Sequence, residues 1–112
     1  MGASGQTTVD FGAFPGAVEA QVDISGQSGL VVTSEVEAWV LPIATADHSV
    51  DEHLEERMRV LGLYKVDGTL TIRAFQAASP AWKDVNYNNA LADGGAQKQR
   101  LYGQYNVGWV WN

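Results

Sequence analysis

The chain contains no cysteine. Without thiols there is no disulfide, no thiolate nucleophile and no cysteine-bound zinc, so packing alone must hold the fold. Basic residues are few. Seven Lys and Arg stand against 13 Asp and Glu, a formal net charge of −6. Nucleic-acid binders draw much of their affinity from a basic surface that contacts phosphates, and no basic stripe is present. An acidic chain is repelled by nucleic acid and by anionic membranes alike. No apolar run approaches the ~20 residues of a transmembrane helix. The opening Met1-Gly2-Ala3-Ser4-Gly5-Gln6 has neither a basic nor an apolar region, and reads as no signal peptide.

Signatures of catalysis are missing as well. There is no Gly-x-Ser-x-Gly elbow. Gly12, Gly16, Gly26 and Gly29 lack the spacing and the strand-to-helix context of a phosphate-binding loop. Glu55 and Glu56 are adjacent, so on a strand they point to opposite faces and cannot flank one scissile bond. The expectation is a protein that is not an enzyme and uses no cofactor.

What is present is a globular composition: 46% apolar residues, four Trp and four Tyr in 112 residues. That length predicts a single domain, 1–112, able to bury roughly two-thirds of its unfolded surface.

The dominant pattern is alternation with a period of two, which sends successive side chains to opposite faces of a strand. Val18, Ala20, Val22 and Ile24 alternate with Glu19, Gln21 and Asp23. Val36, Ala38 and Val40 alternate with Glu35, Glu37 and Trp39. Leu70, Ile72 and Ala74 alternate with Thr69, Thr71 and Arg73. Tyr105, Val107, Trp109 and Trp111 alternate with Gln104, Asn106, Gly108 and Val110. Thr7 to Phe11 and Met58 to Tyr64 are further candidates. Phe14-Pro15-Gly16 and Ser25-Gly26-Gln27-Ser28-Gly29 separate these runs, and Asp67-Gly68 predicts a tight type I′ hairpin. The prediction is an all-β fold: one antiparallel β-sandwich, jelly-roll-like, of about seven strands. One helical turn is expected at Ser49-Val50-Asp51-Glu52, a capping box. One long polar loop is expected over Ala77 to Lys98.

Four groups of residues are candidates for function. Asp47 to Glu56 carries both histidines and five of the 13 acids, so His48, Asp51 and His53 are candidate metal ligands. The same segment also reads as a solvated loop with a helix cap, or as a pH-sensitive contact. In the long loop, Trp82, Tyr87 and Asn88 form a candidate recognition surface for a glycan or a subunit; the alternative is that Trp82 folds back over the sandwich. Trp39 shares a face with Glu35 and Glu37, so with Leu41 it is expected to be exposed at a subunit interface. Trp109 and Trp111 share a face with Val107; they belong either to the core or to the same interface, since an apolar edge strand must be paired or covered.

Taken together, several segments resemble a family of short, uncharacterised β-rich proteins encoded among the virion genes of tailed bacteriophages. They are Thr8-Val9-Asp10-Phe11-Gly12-Ala13-Phe14-Pro15-Gly16, Val36-Glu37-Ala38-Trp39-Val40, Ala46-Asp47-His48-Ser49-Val50-Asp51-Glu52-His53 and Tyr105-Asn106-Val107-Gly108-Trp109-Val110-Trp111. The resemblance spans most of the chain apart from Ala77 to Lys98, and it carries no catalytic residues. It implies a structural protein located in the virion, with other virion proteins (the major capsid protein or tail proteins) as partners, and self-association into a homo-oligomer. A capsid decoration, or cement, protein is the expectation. The alternative is a tail or tail-fibre component with a carbohydrate-binding function. Neither nucleic acid nor a membrane is an expected partner.

Overall fold

A computed structural model describes residues 2–76 and 100–112. Its elements are β1 (Ala3–Asp10), β2 (Glu19–Ile24), β3 (Val36–Val40), helix α1 (Val50–Glu55), β4 (Met58–Val66), β5 (Thr69–Gln76) and β6 (Gln104–Trp111). They form two three-stranded antiparallel sheets, in the orders β1-β6-β3 and β2-β5-β4. The all-β expectation holds. The described strands number six, where about seven were expected, and a jelly roll has eight, so these residues lend that description no support. Trp82, Tyr87 and Asn88 lie outside the described residues.

The alternating runs become strands because each can bury one row of side chains and solvate the other. In β5, Leu70, Ile72 and Ala74 are fully buried, and Ala20 of β2 lies beside them. In β6, Tyr105, Val107, Trp109 and Trp111 all point into the space between the sheets. Trp109 and Trp111 are only 7% and 4% exposed, which corrects their assignment to a subunit interface. The Trp111 indole N–H donates to Gln27 Oε1 at 2.9 Å, a polar tether suited to a ring in the core. Val9 and Phe11 complete the β1 side, and the Phe11 and Tyr105 rings meet edge to face at 5.9 Å.

The capping box forms as the spacing predicts. Ser49 Oγ accepts from the Glu52 backbone N–H at 3.2 Å, and Glu52 Oε1 accepts from the Ser49 N–H at 2.7 Å. The β4–β5 turn differs from expectation. A type I′ turn needs positive φ at both central residues, but only Gly68 adopts it, at +84°. The ladder also shifts register between Tyr64 and Val66, as a bulge does.

Candidate functional site

The first feature lies at the end of β3. Strand β6 is flanked by β1 along its whole length, but β3 covers it only from Trp111 to Val107. Beyond Val40 the chain turns away, and the Leu41 N–H still reaches the Asn106 carbonyl at 3.0 Å. Past that point the N–H and C=O groups of β6 on this flank have no strand to pair with among the described residues. Unpaired edge groups are a template for aggregation, and buried ones cost free energy.

Side chains from the next segment take the missing strand's place. Asn106 N–H donates to His53 Nε2 at 3.0 Å. Gln104 N–H donates to Asp47 Oδ2 at 2.8 Å, and the Gln104 carbonyl accepts from Thr45 Oγ1 at 2.8 Å. The Tyr102 carbonyl accepts from His48 Nε2 at 2.5 Å. The Asn106 amide reaches back to the Ile43 carbonyl at 2.7 Å and holds the loop down. The capping box serves the same end, because it sets the helical turn that carries His53 inward.

Both histidines are buried in an aromatic stack. The His48 ring lies on Tyr105 with centroids 4.0 Å apart and planes within 17°, and Tyr102 covers it at 4.8 Å. The His53 ring meets Tyr105 edge-on at 5.1 Å. The hydrogen bonds assign the tautomer of His53. Nε2 accepts a backbone N–H, so it is bare. Nδ1 lies 2.8 Å from the Ser49 carbonyl, which can only accept, so Nδ1 carries the proton. Burial, and then the nearby Glu56 and Glu52 carboxylates, hold the Tyr105 phenol well above its ordinary range.

This geometry bears on the metal candidates. Both nitrogens of His53 are engaged, and His48 has one nitrogen bonded to Tyr102. His48 Nδ1 is buried without a hydrogen-bond partner among the described residues, and its neighbour is Glu52 Oε1 at 3.4 Å. Asp51 is exposed on the outside of the helix. Among the described residues no group of three or more His, Asp or Glu side chains is placed to hold a metal ion. The segment acts on the fold as an edge cap. The partners of the two histidines lie 53 and 54 residues away in sequence, so no local spacing signals the role.

The second feature is the outward face of the β1-β6-β3 sheet. Trp39 points outward, as its parity with Glu35 and Glu37 predicts, and is 41% exposed. Its indole lies over Gly108 of β6. A Cβ there would fall 2.7 Å from Trp39 Nε1 and Cε2, so only glycine admits the ring. The indole thus rests on backbone, with one side against β6 and the other open. Half-buried Leu41 and Val110 belong to the same outward rows. A large aromatic held in one pose and left open to solvent is the kind of anchor that dominates protein contacts.

No protein-family model, no curated protein and no solved structure matches this chain.

Proposed function

We propose that this chain is a non-enzymatic structural protein of a tailed-bacteriophage virion, a capsid decoration protein present in many copies, and that the outward Trp39 face is a contact surface. The virion part of this reading rests on the sequence resemblance. The contact part rests on one observation above the others: an indole seated on Gly108 and 41% exposed. The site chemistry is consistent with a passive role. The two histidines sit buried against backbone and tyrosine rings, and the pair of hydrogen bonds that fixes His53 gives it a structural task. The net charge of −6 fits protein partners better than nucleic acid or an anionic membrane.

The test is co-sedimentation of the purified chain with capsids and, separately, with tails of the phage that encodes it. Saturable uptake on capsids is expected, with Trp39→Ala binding at least tenfold more weakly. Uptake on tails alone moves the protein to the tail. No uptake on either particle overturns the reading.

A further inference from the structure

The outward face of the second sheet complements the Trp39 face. On β4, Arg59, Leu61 and Leu63 project away from the core, because Met58, Val60, Gly62 and Tyr64 occupy the inward row. Leu61 and Leu63 are 37% and 39% exposed. Exposed leucines in the middle of a strand have no core reason to be there, and side by side they form an apolar strip. Arg59 borders that strip, with its guanidinium 5.8 Å from the centroid of the Phe75 ring.

The two faces also differ in charge. Among the described residues no Lys or Arg lies on β1, β3 or β6, and Glu37 stands beside Trp39 on that face. The second face carries Arg59, Lys65 and Arg73. Two of these are already paired within the chain: Lys65 with Asp23 at 2.5 Å, and Arg73 with Glu19 through Nε at 2.9 Å. Arg59 has no ion-pair partner among the described residues. Each face therefore offers an apolar patch beside unpaired charge, negative on the first, where Glu35 and Asp10 share the outward rows with Glu37, and positive on the second at Arg59.

We propose that these faces are the two halves of one head-to-tail contact between copies of this chain, with Trp39 and Leu41 against Leu61 and Leu63, and Glu37 against Arg59. A two-fold contact of either face with itself would bring like charges together near the axis, where they repel. A contact between unlike faces pairs the charges. Because the faces lie on opposite sheets of the sandwich, such a contact leaves a free face at each end and continues into a ring or an open filament. The inference rests on the assembly reading above and names its partner.

The experiment is sedimentation velocity over a concentration series, with two variants that each break one face: Trp39→Asp and Leu61→Asp. The wild type is expected to grow in mass with concentration and to shrink as salt is raised, since exposed charge pairs are screened. Each variant alone is expected to stay monomeric. An equimolar mixture is expected to form a one-to-one dimer and nothing larger, because each variant keeps the face the other lacks. A wild type that stays monomeric throughout overturns the proposal. So does a variant that still pairs with itself. Circular dichroism checks the folds, and Glu37→Arg replaces Trp39→Asp if the latter unfolds. Capsids that take up a strictly monomeric chain sink this inference and leave the decoration reading standing; an assembling chain that no particle takes up does the reverse.

Discussion

The two flanks of β6 are held in different ways. On one side β1 pairs with it from Ala3↔Trp111 to Asp10↔Gln104, backbone to backbone along eight residues. On the other side β3 pairs over five residues, and Thr45, Asp47, His48 and His53 then reach in with side chains. A backbone ladder asks little of the sequence, since every residue except proline carries the same N–H and C=O. A side-chain cap needs a particular atom at a particular place. The β1 flank should therefore tolerate substitution except where a residue faces the core, as Gly5 and Val9 do, and the capped flank should be sensitive wherever a side chain is the partner of a β6 backbone group.

The largest effect is expected at a position where β1 faces the core with no room to spare. Gly5 lies opposite Trp109, and a Cβ there would fall 2.5 Å from the Trp109 ring. That indole is buried between the sheets, so it has no open side to move toward. Gly5→Val should cost at the upper end of the roughly 1–3 kcal/mol seen for overpacked cores. Ser4→Ala and Gln6→Ala, its exposed neighbours, should stay within about 0.5 kcal/mol. Denaturant melts of the three proteins check this, and equal losses for all three would show that β1 is more than a generic partner.

Next comes His53→Phe, which keeps a ring against Tyr105 and removes both nitrogens. The Asn106 N–H then loses its partner, and the Ser49 carbonyl loses the ring donor while keeping the backbone N–H of residue 53 at 3.2 Å. Leaving such an N–H unsatisfied costs about 1–3 kcal/mol, and about 2 kcal/mol is expected here. The matching measurement is hydrogen exchange at the Asn106 amide, which should speed up well beyond the change at Val107 on the β1-paired side.

These contrasts explain what could be read in the sequence. Alternation needs only neighbours in the chain, so β2, β3, β5 and β6 were legible, as were the Ser49–Glu52 cap and the outward aim of Trp39. Ala3-Ser4-Gly5-Gln6 carries no strand signature. It is a strand because β6 offers it a ladder, and that information lies a hundred residues away in the chain. The histidines were visible as a cluster but not as a cap, because their partners are backbone groups of a distant strand. Trp109 and Trp111 had the right parity for the core, and the error lay in treating an apolar last strand as an uncovered edge, when β1 and β3 flank it on both sides.

The ring that both histidines lean on gives a pH test of the capped flank. Burial and two carboxylates raise the Tyr105 phenol above its ordinary value. In the unfolded chain it ionises near pH ~10. Between that value and the higher folded one, the unfolded state loses a proton that the folded state keeps, so stability is complete below about pH 10 and falls above it. The loss is at most about 1.4 kcal/mol for each pH unit. Tyr105→Phe should flatten this alkaline limb. Parallel limbs for the two proteins in melts from pH 8 to 11 would mean the phenol titrates alike in both states.

The smallest effect is expected at His48, although it is buried as deeply as His53 and stacked more closely on Tyr105. The reason is what each ring leaves behind. His53 satisfies two backbone groups and has no idle nitrogen. His48 satisfies one, the Tyr102 carbonyl, and keeps Nδ1 buried with only Glu52 Oε1 nearby at 3.4 Å. His48→Phe loses a hydrogen bond but also removes an unpartnered buried nitrogen, and the ring stays on Tyr105. The two terms oppose each other, so a net change below about 1 kcal/mol is expected, since a typical hydrogen bond contributes about that much net. If His48→Phe instead proves as damaging as His53→Phe, Nδ1 must have a partner in solution, and Glu52→Gln, which keeps an oxygen for the Ser49 N–H while removing the charge, would identify that partner by reproducing the loss.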